Sequence, residues 1–148
     1  MPQLLFIDDE PHHLSMLMDI LPEIIPDCST HITENAKTSI EWLSSNHPTL
    51  IIMDIFLPLG TKTPDRLGTR SHQFEENLRH LGGLAILDFI EKMTPRPMVL
   101  THTACTDFSL LEILGDVVHE RIPKPASFEM MLEIIQRSLA IVSSDTVD

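Results

Sequence analysis

The sequence predicts an α/β domain, a parallel sheet of five strands with helices on both faces. Three observations predict it. Leu50-Ile51-Ile52-Met53 is an unbroken apolar run that ends on a single carboxylate, Asp54. A run that is apolar at every position reads as a strand buried on both faces. Short runs of this kind alternate with segments of helical apolar spacing, and such alternation implies parallel strands joined by crossover helices. The runs also share an ending: Leu4-Leu5-Phe6-Ile7 meets Asp8-Asp9, Met98-Val99-Leu100 meets Thr101, and the segment 117–123 meets Lys124-Pro125.

Taken in order, residues 3–7 form the first strand. Asp8-Asp9-Glu10-Pro11 opens a helix, with acids in its first turn and proline near its first position. Leu14, Leu17, Met18 and Leu21 make one apolar face, and Pro22 and Pro26 end the helix. Ser29 to Thr33 is a weak second strand. The second helix covers about 35–45, with Ala36, Ile40 and Leu43 inward, and Asn46-His47-Pro48 stops it. Thr49 to Met53 is strand three. Residues 59–82 then interrupt the alternation. They carry Gly60, Pro64 and Gly68 and a candidate helix from Ser71, on which Phe74, Leu78 and Leu81 share a face. Gly82-Gly83 breaks that helix, and Leu84 to Met93 forms the next. Pro95 and Pro97 bracket the turn into strand four. Asp107 to Leu114 is a short helix closed by Gly115. Residues 117–122 form strand five, whose His119, Glu120 and Arg121 mark an edge. Ser127 caps the last helix, with Phe128, Leu132, Ile135, Leu139 and Val142 on one stripe.

These elements make one domain over residues 1–142, with 59–82 inserted between strand three and the helix after it and 143–148 as a flexible tail. A length of 148 residues with 43% apolar content suits one full core. A net charge of −12 argues against nucleic acid and fits a protein that meets cations or basic surfaces. Cys28 and Cys105 form neither a ligand spacing nor a disulfide framework, so a reducing cytoplasm is expected. No basic-then-apolar leader opens the chain, and no apolar run reaches the roughly 18 residues of a membrane span.

Right-handed crossovers bring the C-terminal ends of parallel strands to one rim, where open α/β sheets bind ligands. Asp8, Asp9, Asp54, Thr101 and Lys124 therefore converge. At about 4 Å and an effective dielectric near 20, each pair of carboxylates repels by roughly 4 kcal/mol. Such a cluster holds protons or a cation. All-oxygen ligation with room for water suits Mg²⁺ or Mn²⁺. The lysine is a mobile point charge suited to a phosphoryl oxygen, and Thr101 adds a hydroxyl donor. These are the parts for phosphoryl transfer to a carboxylate, and Asp54, alone at the end of its strand, is the best acceptor. The other histidines give no metal site on this reading: His12 and His13 are adjacent and face different ways on a helix, and His72 and His80 lie in the insert.

The segments LLFIDDEP (4–11), LIIMDIFLP (50–58), GGLAILDFI (82–90), PMVLTHTA (97–104) and IPKP (122–125) resemble those of response-regulator receiver domains of two-component signalling. The resemblance implies a flavodoxin-like fold, five parallel strands in the order 2-1-3-4-5. It implies that Asp54 takes a phosphoryl group from a histidine kinase or histidine phosphotransfer protein, and that Asp8, Asp9 and Asp54 bind Mg²⁺. Lys124 and Thr101 would contact the phosphoryl oxygens, and the Lys124-Pro125 bond would be cis. An unidentified downstream protein would read the state.

Three positions depart from the family pattern. Arg121 stands where the family usually has a Tyr or Phe that swings inward on activation, and a guanidinium does not bury as a ring does. His102 follows Thr101 where a small residue is usual; it either narrows access, contacts the phosphoryl group, or sits exposed on the rim. The 59–82 segment is far longer than a loop needs to be. Lys62, Arg66, Arg70 and Arg79 against Asp65, Glu75 and Glu76 leave it at +1 and the remainder at −13. Phe56 joins Arg121 and His102 as a modulating position. The expected function is a phosphorylation-dependent switch, not an enzyme, standing alone or belonging to a longer regulator. A docking module that is never phosphorylated is the second reading. A Mg²⁺-dependent phosphohydrolase is third, because Asp54-Ile55-Phe56 lacks the second acid of an Asp-x-Asp pattern.

Overall fold

The computed structural model describes residues 2–60, 81–104 and 111–145. Five strands form one sheet: β1 (Gln3–Ile7), β2 (Ser29–Thr33), β3 (Leu50–Met53), β4 (Met98–Thr103) and β5 (Glu120–Pro123). All neighbours are parallel, in the order β2-β1-β3-β4-β5. The described helices are α1 (Ser15–Ile24), α2 (Ala36–Leu43), α3 (Gly82–Glu91) and α4 (Phe128–Asp145).

The period of two explains the layers. Leu5, Ile7, Ile51, Met53 and Val99 face α2 and α3, while Leu4, Phe6, Leu50, Ile52, Leu100 and Ile122 face α1 and α4. Every residue of β3 is buried, as the unbroken apolar run requires. Burying each such side chain contributes roughly 1.5–3 kcal/mol. At the edge, β5 buries only Ile122, and its Glu120 accepts a 2.6 Å hydrogen bond from Arg137 Nη2 of α4.

Several predicted boundaries move. The first helix does not open at the acids. A 3₁₀ turn, Pro11–Leu14, precedes α1, and no acid lies in the first turn of either. Pro22 sits inside α1 rather than ending it; proline removes one amide donor, and the helix still closes through Ile25 N–H to Leu21 O at 2.9 Å. Strand five starts at Glu120, because Val117 enters the core from a 3₁₀ turn, Gly115–Val117, ahead of it. The predicted tail is partly helical, since α4 continues to Asp145. The candidate helix from Ser71 and the first half of the one at 107–114 lie outside the described residues.

Gly82-Gly83 forms the first turn of α3 rather than lying ahead of it, and the helix it was expected to break lies outside the described residues. A Cβ on Gly83 would lie 2.6 Å from Ile55 Cα and 2.8 Å from Asp54 O. A Cβ on Gly82 would lie 2.8 Å from the carbonyls of Leu57 and Pro58. Only glycines let α3 approach the end of β3 this closely. Its first amides donate to Leu57 O at 2.8 Å and Ile55 O at 3.1 Å, which satisfies donors a helix start otherwise leaves open. The chain leaving β3 is held on its other side by α2: Ala36 N–H donates to Pro58 O at 3.0 Å and Lys37 N–H to Leu59 O at 2.8 Å.

Candidate functional site

Two aspartates at the C-terminal rim are held in the same way. Asp8 follows β1, and its N–H donates to Thr33 O of β2 at 3.1 Å. Asp54 follows β3, and its N–H donates to Ile7 O at 2.9 Å. In each, Oδ1 accepts from the backbone N–H two residues on: Glu10 N at 2.9 Å for Asp8, Phe56 N at 3.1 Å for Asp54. That short-range bond fixes the carboxylate plane and turns Oδ2 inward. Lys124 Nζ then bridges the two, 2.9 Å from Asp8 Oδ2 and 2.8 Å from Asp54 Oδ2. Lys124 is placed by β5, whose register is extended by Lys124 N–H to Thr103 O at 3.1 Å, and the Lys124-Pro125 bond is cis.

Asp8 and Asp54 are 2% and 6% exposed, and Asp9 is exposed. Carboxylate oxygens of the three lie within 4.8 Å of one another. Partial burial, then the charge of Asp8, raises the Asp9 pKa. Burial alone would lower the Lys124 pKa, but hydrogen bonds to Asp54 and Asp8 and their charges outweigh it and the net shift is upward. One ammonium among three carboxylates leaves two negative charges uncompensated. The donor set is all oxygen, so the acidic pocket suits a hard divalent cation such as Mg²⁺.

Thr101 is fully buried, and its Oγ1 has no hydrogen-bond partner. A buried hydroxyl without a partner costs roughly 1–3 kcal/mol. Met53 is its lateral neighbour on β3, so Thr101 lies one step below Asp54 on the next strand. The orphaned hydroxyl is what a site for an anionic group beside Asp54 needs.

His102 is not the exposed rim residue that was one expectation. It is 7% exposed, and neither ring nitrogen has a partner. Burial, then the charge of Lys124, lowers its pKa. Alternation along β4 sends its side chain to the α1–α4 face, opposite to Thr101. There it lines a pocket of about 430 Å³ with Leu14, Leu17, Lys124, Phe128 and Met131. Arg121 is exposed on β5, beside Thr101 in register. Phe56 is 41% exposed. A larger cavity of about 880 Å³ lies at the opposite rim, lined by Pro26, Pro48 and Pro97 and by none of the predicted site residues.

Sequence reasoning missed two participants. Gly83 allows the approach of α3 to Asp54, and its signal was the glycine pair read as a breaker. His13 Nε2 lies 3.5 Å from Asp8 Oδ2, although its adjacency to His12 suggested only that the two face different ways.

No protein-family model matches the sequence. No curated protein matches it. Solved structures do. The signal receiver domain of an HD domain-containing protein from Pseudomonas fluorescens superposes with a TM-score of 0.69 at 18% identity, covering 97% of this chain and 98% of that one. The signal receiver domain of a LuxO repressor protein from Vibrio parahaemolyticus gives 0.67 at 20% identity, covering 97% and 94%. The response regulator TrrA from Thermotoga maritima, solved in complex with Mg²⁺ and BeF, gives 0.61 at 18% identity, covering 93% and 99%. The chain has the fold of a response-regulator receiver domain. Among the described residues, no helix is long and apolar enough to cross a membrane.

Proposed function

We propose that the chain is a phosphorylation-dependent receiver whose acceptor is Asp54. The observation that carries this reading is the bridge of Lys124 Nζ between Asp8 and Asp54, with the unpartnered hydroxyl of Thr101 beside it. In the proposed step, Asp54 Oδ2 attacks phosphorus and an O–P bond forms. The bond from phosphorus to the donor breaks, and its electron pair leaves with the donor. The donor is a histidine of a histidine kinase or phosphotransfer protein, or the carboxylate of a small acyl phosphate. Asp8, Asp9 and Asp54 would hold Mg²⁺, which would supply positive charge for the phosphoryl oxygens. Lys124 moves its ammonium from Asp54 Oδ2 to a phosphoryl oxygen, and Thr101 Oγ1 donates to another. Asp8 Oδ2 keeps its hydrogen bond from the ammonium throughout. Output passes to a downstream protein, and the exposed Arg121 keeps that output from depending on burial of a ring at its position.

The test is intact-mass spectrometry after incubation with acetyl phosphate and Mg²⁺. One phosphoryl adduct is expected, absent with a chelator and absent in Asp54→Asn, whose amide is a poor nucleophile. A full adduct on the variant overturns the assignment. No adduct on the wild-type chain would favour the docking module, the reading that the unusual Arg121 and His102 suggest.

A further inference from the structure

We propose that Glu10, His12 and His13 form a second cation site, selective for zinc-type transition ions, on the lip of the acidic pocket. The sequence suggested that the two histidines diverge on an α-helix. The structure places them in the 3₁₀ turn Pro11–Leu14, where adjacent residues are about 120° apart, and the rings nonetheless turn toward one another. The rings meet edge to face with centroids 5.0 Å apart. One ligand atom from each of Glu10, His12 and His13 falls in a group whose members all lie within 4.8 Å of one another. On a tetrahedral zinc ion with bonds of about 2.0–2.1 Å, ligand atoms sit about 3.3 Å apart. All three residues are exposed, so side-chain rotation closes that difference without moving the core.

The backbone beneath them is already pinned. Glu10 N–H is held by Asp8 Oδ1 at 2.9 Å, Pro11 fixes its own φ, and Ser15 Oγ donates to His12 O at 3.0 Å. Two imidazoles and a carboxylate with an open fourth position is a zinc donor set. Imidazole also suits copper and nickel, whereas the neighbouring carboxylates suit Mg²⁺. The two sites therefore differ in ion preference while sharing one contact, His13 Nε2 to Asp8 Oδ2 at 3.5 Å.

The experiment is calorimetric titration of Zn²⁺ into the intact chain under excess Mg²⁺, which fills the acidic pocket. One equivalent of zinc is expected to bind with Mg²⁺ present. Removing a direct ligand costs at least the tenfold or so lost with an outer-sphere partner, so His12→Ala and His13→Ala should each weaken binding by that factor or more. Glu10→Gln should weaken it in the same direction, and Asp54→Asn should not. Thermal melts of these exposed-residue variants confirm folding, and zinc-induced shifts of the two imidazole NMR signals give a readout on the wild-type chain. Zinc affinity unchanged in both alanine variants overturns the proposal, because another group then holds the ion. Zinc displaced by excess Mg²⁺ also overturns it, because the ion then sat among Asp8, Asp9 and Asp54.

Discussion

Replacing Lys124 by methionine keeps most of the stem and removes the charge that separates two buried carboxylates. The two contacts at 2.9 and 2.8 Å are each worth roughly 6 kcal/mol at an effective dielectric near 20, before any solvation cost. Desolvation of the three groups takes back several kcal/mol per ion, and removal of one partner from a buried ion pair costs about 3–5 kcal/mol. Lys124 keeps 20% of its side chain in water, which places the expected loss near the lower end, about 3 kcal/mol. With a typical urea dependence that is a midpoint shift of roughly 1–2 M. The assay is urea unfolding in a chelator and again in Mg²⁺. The deficit should shrink with Mg²⁺, because a divalent cation among the same oxygens replaces the missing charge. Asp54→Asn in the Lys124→Met background should recover part of the stability, since it removes one of the facing anions. A Lys124→Met chain as stable as wild type in chelator would refute the argument that this lysine holds the carboxylates together.

Four further outcomes follow from the same geometry. The raised Lys124 pKa means stability from its charge is fully present below the ordinary lysine value and is lost as pH rises through the higher folded value; alkaline unfolding curves of wild type and Lys124→Met should therefore converge. The lowered His102 pKa acts at the other end: as pH falls below about 6.5 the unfolded chain takes the proton first, so stability declines toward the folded value, and His102→Phe should flatten that decline in thermal melts. Gly83→Ala forces a Cβ against Ile55 Cα and should cost about 1–3 kcal/mol, with unchanged melting as the contrary result. Replacing residues 61–79 by a short Gly-Ser linker should preserve cooperative unfolding, because Gly60 and Leu81 flank anchored chain, with Gly82 N–H 2.8 Å from Leu57 O; loss of the cooperative transition would show that the segment builds the core.

The sheet was legible because its signal is local. Leu50 to Met53 is apolar at consecutive positions, which one strand with two covered faces demands, and the structure covers both. Strand ends at Asp8, Asp54 and Lys124 were legible for the same reason: the polar residue that stops an apolar run marks the rim, although β4 runs past Thr101 to Thr103. Helix boundaries were less legible because their signals are shared. Proline opens helices and ends them, so Pro11 and Pro22 look alike in sequence, yet one begins a turn and the other lies within α1. Glycine pairs break helices, and they also admit close approach. Which of the two Gly82-Gly83 does depends on the path of residues 54–58, fixed by strand pairing far away in sequence.

The site's chemistry shows the same division between what a residue is and what faces it. That three carboxylates and a lysine converge follows from topology alone. Their pairing does not: each aspartate spends Oδ1 on an amide two residues ahead, and only then is Oδ2 left for the lysine. His102 could not be assigned from its position after Thr101, because adjacent residues on a strand face opposite sides and burial depends on what covers each side. Here Leu14, Leu17, Phe128 and Met131 cover it, so an imidazole stands in an apolar pocket with both nitrogens unpartnered. Lys124 lines the same pocket. Its charge, after burial, lowers the His102 pKa. Any event that draws Lys124 away from Asp54 therefore changes the field at His102 as well.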